Sequence, residues 1–139
     1  VGAARTLPGV RSDRVALVGH SRGAGTALQY ARALGEVRGV RAAVLNSAGY
    51  PDEVLAWAPA IGVPILIIHG TADAPGDGGT AVTAIERARA FEAALRAARK
   101  DVEAVYVEGG SHNGLFASPA QYDASVTRIA AFLRRRLPP

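Results

Sequence analysis

The chain has 139 residues, of which 49% are hydrophobic and 20% are charged, and this is the composition of one ordinary globular domain. The net charge of +4 comes from fifteen Arg and one Lys that are scattered without interleaved aromatic residues, so we expect no nucleic-acid partner. The lack of cysteine excludes disulfides, thiolate metal sites and a cysteine nucleophile. No apolar run approaches the roughly 20 residues of a membrane span, and we expect no membrane partner.

Strands and helices alternate along the sequence. Short apolar runs predict four strands, the first of them buried on both faces, at residues 15–18, 42–45, 65–68 and 102–107. Apolar side chains at helical spacing predict helices at residues 22–35, about 80–100 and about 119–136. The last helix begins with a capping box of Ser118 and Gln121, and its predicted apolar stripe comprises Tyr122, Val126, Ile129, Ala130 and Leu133. This alternation predicts a three-layer α/β/α fold with a parallel sheet of about four strands, whose ligands bind at the carboxyl ends of the strands.

The first predicted strand ends in Gly19-His20-Ser21-Arg22-Gly23, which places the pattern G-x-S-x-G between a strand and a helix. Such a turn holds its serine in strained backbone geometry, and the flanking glycines let strand and helix approach closely. The helix begins directly behind Ser21, so the backbone N–H of Arg22 points toward an oxyanion formed there. We therefore predict that Ser21 is a nucleophile, with a glycine-rich turn of no chemical role as the alternative.

The third predicted strand ends in the run HGTAD, whose last residue is Asp73. A carboxylate just past a strand end can orient a histidine and stabilise its cation. Asp77 lies close by in a glycine-rich stretch and is the alternative for this role.

The fourth predicted strand ends in the run EGGSHNG, which contains His112. A base at this place can reach Ser21, and a serine is a weak nucleophile unless an adjacent base takes its proton. His20 and His69 are less favoured alternatives for the base, because both are expected to pack or hydrogen-bond near their strand ends. No spacing of His, Asp and Glu suggests a metal site.

The three motifs resemble those of the α/β-hydrolase superfamily, and most of all the bacterial carboxylesterases, dienelactone-hydrolase-like proteins and prolyl-oligopeptidase-like proteins. The resemblance extends over about residues 7–137 and identifies the four strands with the fifth to eighth of that fold, its C-terminal half. It implies that Ser21 is the nucleophile, Asp73 the orienting acid and His112 the general base, with the Arg22 N–H as one oxyanion donor. It also implies hydrolysis of a small-molecule carboxylic ester through an acyl-enzyme, without a cofactor.

Two features depart from the family pattern near the site. The dienelactone hydrolases proper use a cysteine nucleophile, which this chain does not contain. The segment between Ser47 and Pro64 leaves no room for a large cap domain. Tyr50 and Trp57 in this segment, together with His20 next to Ser21, are candidates to line the substrate pocket, with packing of Trp57 on the sheet as the alternative.

The largest departure concerns the superfamily's first four strands, which would precede Val1, and with them the loop that normally supplies a second oxyanion N–H. We therefore expect residues 1–139 to form a single, N-terminally truncated domain, whose free first strand is available for self-association. Losing one oxyanion donor costs on the order of a hundredfold in rate, so a non-catalytic fragment is one alternative. A serine peptidase or acyltransferase with the same triad is another. The compartment is left open, with the cytoplasm slightly favoured.

Overall fold

A computed structural model describes residues 3–34, 39–114 and 118–137. Its strands are β1 (Val15–His20), β2 (Val40–Asn46), β3 (Ile65–Gly70) and β4 (Val102–Val107). Its α-helices are α1 (Arg22–Leu34), α2 (Asp52–Leu55), α3 (Ile85–Ala97) and α4 (Pro119–Arg136). Short 3-10 helices cover Ala3–Thr6, Ala58–Ala60 and Ala81–Thr83. All four predicted strands and all three predicted helices are present, and residue 35, the predicted end of the first helix, lies outside the described residues.

The sheet has the strand order β1-β2-β3-β4, and every neighbouring pair is parallel. Val44 on β2 pairs with Val18 on one side and with Leu66 on the other. The apolar, β-branched run of β3 is buried along its whole length, as expected for an inner strand covered on both faces. Because the strands are parallel, all four carboxyl ends lie at one edge of the sheet. The predicted α/β class with a four-stranded parallel sheet is confirmed.

Helices cover both faces of the sheet, which gives three layers. One face packs against α1, α2 and α3 in a cluster centred on Leu28, Leu45, Ile67 and Phe91. The other face packs against α4 through Phe132, which contacts the cluster of Val44, Leu66 and Ile68. Phe91 and Phe132 are both completely buried, so each layer contributes one large aromatic anchor to its core.

The buried face of α4 differs from the predicted stripe. Tyr122 and Val126 are 49% and 44% exposed, whereas Ser125 and Phe132 are buried. The helix therefore presents to the sheet a face displaced by about one residue from the predicted one. Ile129 and Leu133 of the predicted stripe are partly buried and pack beside Phe132. At its N-terminus, Ser118 Oγ accepts a hydrogen bond from the Gln121 N–H at 3.4 Å, which is one half of the predicted capping box.

Strand β1 lies at an edge of the sheet, and the prediction that it is buried on both faces is wrong. Val18 is 55% exposed, whereas its neighbours on the same face of the inner strands, Val44 and Leu66, are buried beneath α4. The expectation of self-association through this strand stays a prediction. Within the described residues, no helix is long and apolar enough to cross a membrane.

Candidate active site

Ser21 lies in the tight turn between β1 and α1. Its φ of +52° is in the left-handed region, which non-glycine residues rarely adopt, and its N–H donates to the carbonyl of Asn46 at 2.8 Å. A Cβ on Gly19 would overlap the backbone of Gly23, so the close approach of strand and helix requires a glycine at position 19. A Cβ on Gly23 would meet open space, so the prediction that both glycines permit the approach holds for Gly19 alone. The hydroxyl of Ser21 is thereby held at the side of the sheet where the carboxyl ends of the strands lie.

The loops that follow β3 and β4 are joined to each other by hydrogen bonds from backbone N–H groups. The Ala72 N–H donates to the carbonyl of Gly110 at 2.9 Å, and the Gly109 N–H donates to Thr71 Oγ1 at 2.8 Å. One of these loops carries Asp73 and the other carries His112. The backbone therefore fixes the distance between a carboxylate and an imidazole before either side chain is considered.

Ser21, His112 and Asp73 form a continuous chain of hydrogen bonds. His112 Nδ1 lies 2.8 Å from Asp73 Oδ2, and His112 Nε2 lies 2.9 Å from Ser21 Oγ. An ionised carboxylate can only accept, so Nδ1 carries the proton and donates to Asp73. Nε2 is then the acceptor, and the Ser21 hydroxyl donates to it. Asp73 and His112 are 2% and 3% exposed, so this chain is shielded from water except at its serine end.

Asp77 lies elsewhere. Its side chain is exposed, and only its backbone carbonyl takes part in the local network, by accepting from Asn113 Nδ2 at 3.3 Å. Of the two carboxylates that the sequence left open, the structure brings Asp73 to His112.

The two other histidines flank this chain. His20 Nε2 is 3.3 Å from Asn113 Oδ1, and its ring centroid is 5.2 Å from that of His112. His69 is completely buried, and its Nε2–H donates to the carbonyl of Thr83 at 2.6 Å. Burial is the main cause that lowers the pKa of both His20 and His69. Both rings are therefore neutral near pH 7, and the ring that reaches the Ser21 hydroxyl is that of His112.

A cleft of about 1030 Å³ opens over Ser21 and His112. Its apolar wall is formed by Leu28, Val54, Trp57 and Val82. The guanidinium of Arg32 stacks on the Trp57 ring at 4.7 Å from its centroid, and this cation–π contact helps to hold the ring in place. A cleft of this size and polarity accommodates an apolar group next to the serine hydroxyl.

Of the three predicted lining residues, His20 and Trp57 border the cleft and Tyr50 does not. Tyr50 is completely buried and stacks on Phe91, with ring centroids 4.8 Å apart. In the described part of the chain its hydroxyl has no hydrogen-bond partner.

Helix α1 begins at Arg22, immediately after Ser21. The first N–H groups of a helix have no acceptor within the helix, and the helix dipole places partial positive charge there. This end of α1 can therefore stabilise negative charge that develops beside Ser21 Oγ. As for metals, no group of three or more His, Asp or Glu side chains in the described ranges could hold an ion.

Thr83 was not among the residues predicted for the site. Its Oγ1 donates to Asp73 Oδ1 at 2.9 Å, and it is buried beside His69. Thr83 lies in a segment predicted to be helical, where a threonine carries no signal, and the structure instead has a 3-10 turn at Ala81–Thr83. Asn113, which bonds to both His20 and the Asp77 carbonyl, was also missed, although its place next to His112 could have indicated it.

Comparisons with known proteins agree with this architecture. A sequence model described as "Dienelactone hydrolase family" matches residues 1–131. No curated protein matches the chain at a significant level. Among solved structures, dipeptidyl peptidase 4 of Porphyromonas gingivalis is similar with a TM-score of 0.77 and 20% identity, over 98% of this chain and 21% of that one.

Two shorter proteins are similar as well. A putative dienelactone hydrolase from Klebsiella pneumoniae has a TM-score of 0.76 and 21% identity, over 95% of this chain and 55% of that one. An esterase from Pyrococcus furiosus has a TM-score of 0.76 and 16% identity, over 98% of this chain and 59% of that one. At these identities the likeness concerns the fold. The chain spans between about a fifth and three fifths of the length of these three proteins.

Proposed function

Because the chain belongs to the dienelactone hydrolase family, we propose that it is a serine hydrolase that cleaves carboxylic esters through an acyl-enzyme on Ser21. One observation carries the proposal: His112 lies within hydrogen-bond distance of both Ser21 Oγ, at 2.9 Å, and Asp73 Oδ2, at 2.8 Å. A nucleophile, a base and a group that orients the base are the components of acyl transfer by serine.

In the first half of the reaction, Ser21 Oγ attacks the carbonyl carbon of the ester while its proton passes to His112 Nε2. The carbonyl oxygen becomes an oxyanion, and the N–H of Arg22 at the start of α1 donates to it. The intermediate then collapses, the bond to the alcohol oxygen breaks, and His112 Nε2 returns its proton to the leaving alcohol. The acyl group remains bound to Ser21.

In the second half, a water molecule attacks the acyl carbon and His112 Nε2 takes one of its protons. The bond between the acyl carbon and Ser21 Oγ breaks, and the proton passes from His112 back to Oγ, so that a carboxylic acid leaves and Ser21 is restored. Asp73 stays ionised throughout. Its role is to hold His112 in the Nδ1–H form and to stabilise the imidazolium.

The shape of the cleft supports an ester with an apolar acyl group. The wall formed by Leu28, Val54, Trp57 and Val82 can receive such a group, and the neutral His20 contributes a polar but uncharged side chain close to the serine.

The test is hydrolysis of p-nitrophenyl acetate and butyrate, together with labelling by a fluorophosphonate. The unchanged chain is compared with Ser21→Ala and with Ser12→Ala, a matched control because Ser12 is an exposed serine outside the cleft. We expect turnover and one label on Ser21 in the unchanged chain and in Ser12→Ala, and neither in Ser21→Ala. A peptide p-nitroanilide and an added alcohol acceptor separate the esterase from a peptidase and an acyltransferase.

If the folded chain and Ser21→Ala are equally inert and neither takes the label, the proposal is wrong and the chain is a non-catalytic relative. If the peptide anilide is cleaved faster than the esters, the hydrolase proposal stands and the ester assignment is wrong.

A further inference from the structure

Thr83 links two buried side chains behind His112. It is 6% exposed and ends the 3-10 turn Ala81–Thr83, just before α3. Its hydroxyl donates to Asp73 Oδ1 at 2.9 Å, and its backbone carbonyl accepts from His69 Nε2 at 2.6 Å. Thr83 therefore contacts Asp73 through its side chain and His69 through its backbone carbonyl.

The single hydroxyl proton of Thr83 has two acceptors within reach, Asp73 Oδ1 at 2.9 Å and the Thr80 carbonyl at 3.0 Å. The carboxylate is charged and so is the stronger acceptor. In addition, the Thr80 N–H donates to Thr83 Oγ1 at 2.8 Å, which occupies a lone pair and polarises the hydroxyl toward Asp73. The proton is thus directed at the carboxylate.

His69 holds the carbonyl side of Thr83. A carbonyl only accepts, so Nε2 of His69 carries the proton, and burial keeps the ring neutral by lowering its pKa. The same Nε2 lies 3.3 Å from Asp73 Oδ2, the oxygen that accepts from His112. His69 Nδ1 has no hydrogen-bond partner in the described part of the molecule, so the ring is held from its Nε2 side.

We propose that Thr83 is a positioning residue for the reaction proposed above, because its hydroxyl fixes Asp73 Oδ1 and thereby aims Oδ2 at His112 Nδ1. Both carboxylate oxygens then have defined donors. Without the hydroxyl, Oδ1 is left buried without this donor and the carboxylate can turn about its side-chain torsions. His112 then loses a fixed acceptor, while the shape of the cleft is retained. This inference rests on the proposed function, since positioning has a consequence for rate only if the triad turns over.

Thr83→Val tests the proposal, because valine has nearly the same shape and lacks the hydroxyl, and Thr83→Ser is the matched variant that keeps it. With p-nitrophenyl butyrate we expect Thr83→Val to lower kcat by about 10- to 100-fold with KM within about twofold. Thr83→Ser should recover most of kcat. Equal kcat in Thr83→Val and the unchanged chain would overturn the proposal, as would a Thr83→Ser chain as slow as Thr83→Val.

A second measurement does not depend on turnover. The proton on His112 Nδ1 is observed by NMR in histidine-labelled protein and is assigned by its loss in His112→Gln. We expect Thr83→Val to shift or broaden this resonance and Thr83→Ser to leave it in place. If the chain is inert but the resonance responds in this way, the positioning role stands and the proposed function fails. If the chain is active and neither kcat nor the resonance responds, the proposed function stands and the positioning role is wrong.

Discussion

Gly70 and Gly110 pack against each other so closely that a Cβ on Gly70 would overlap the carbonyl of Gly110. Gly70 is the last residue of β3, directly before the loop that carries Asp73, and Gly110 lies in the loop that carries His112. Substitution Gly70→Ala must push the two loops apart, and we expect it to lower the free energy of unfolding by about 3 kcal/mol. The measurement is urea denaturation. Gly25→Ala is the control, because a Cβ there meets open space on α1, and this variant should gain about 0.5–1 kcal/mol.

Substitutions of the two aspartates in the loop after β3 should have different effects on kcat. Asp73→Asn leaves the shape intact but replaces an acceptor of the His112 Nδ1–H with an amide, which favours the wrong tautomer, and we expect kcat to fall by about 10⁴-fold. Asp77→Asn should leave kcat within about twofold, because the Asp77 side chain is exposed. Steady-state hydrolysis of p-nitrophenyl butyrate compares the two. Similar losses in both variants would contradict the assignment of Asp73.

The stability of the chain should fall as the pH falls below about 6.5, the ordinary pKa of histidine. Burial lowers the pKa of His69 in the folded chain, so the unfolded chain binds more protons in this range and is favoured by acid. His69 contributes its full stability above about pH 6.5 and loses it as the pH falls toward the lowered folded pKa. Unfolding free energies measured from pH 7.5 to 5 should show this slope, and His69→Gln should flatten it. His20, whose pKa is also lowered, still contributes to the slope in that variant. An unchanged slope would count against a neutral, buried His69.

Trp57 should limit the length of the acyl group. Its ring forms part of the apolar wall of the cleft and is stacked by Arg32. Trp57→Ala lengthens the space beside Ser21, and we expect the ratio of kcat/KM for the octanoate ester to that for the acetate ester to rise about tenfold. Arg32→Ala removes the stacked guanidinium and keeps the Trp57 ring, so its effect on this ratio should be smaller and in the same direction. A ratio that stays constant in Trp57→Ala would show that the acyl group lies elsewhere.

The exposed edge of β1 should mediate self-association. Val18 is 55% exposed on a strand with one unpaired side in the described sheet, and apolar sheet edges pair with other chains. Val18→Lys should shift the chain toward monomer in sedimentation velocity. Val10→Lys is the matched control, because Val10 is exposed to a similar extent but lies outside the strands. Loss of association in both variants, or in neither, would argue against pairing through β1.

The sequence predicted the strands and most of the helices well, because buried parallel strands such as β3 read as short apolar runs and the long helices repeat at 3.6 residues. It also placed Ser21, Asp73 and His112 at strand ends, where parallel topology must bring them to one edge. Their catalytic roles stay predictions. The sequence did not predict that Tyr50 faces the core, since an aromatic residue in a loop has no periodicity to show its direction.

Contacts between loops were the least predictable part of the site. Thr83 reaches Asp73 only because residues 81–83 turn as a 3-10 helix ahead of α3, where the apolar spacing indicated one continuous helix. The exposure of Val18 and of the first half of α4 likewise depends on how far one layer extends over another. Such distances are set by tertiary packing and leave no local pattern in the sequence.

The hydrogen bond between Ser21 and His112 joins positions 91 residues apart. The turn that holds Ser21 lies between β1 and α1, whereas His112 belongs to the loop that follows β4, later in the chain. During synthesis Ser21 therefore leaves the ribosome without this hydrogen-bond partner and acquires it only after β4 has docked on β3. For the nucleophile that we propose, this order of the strands would delay reactivity until the sheet that positions His112 has formed.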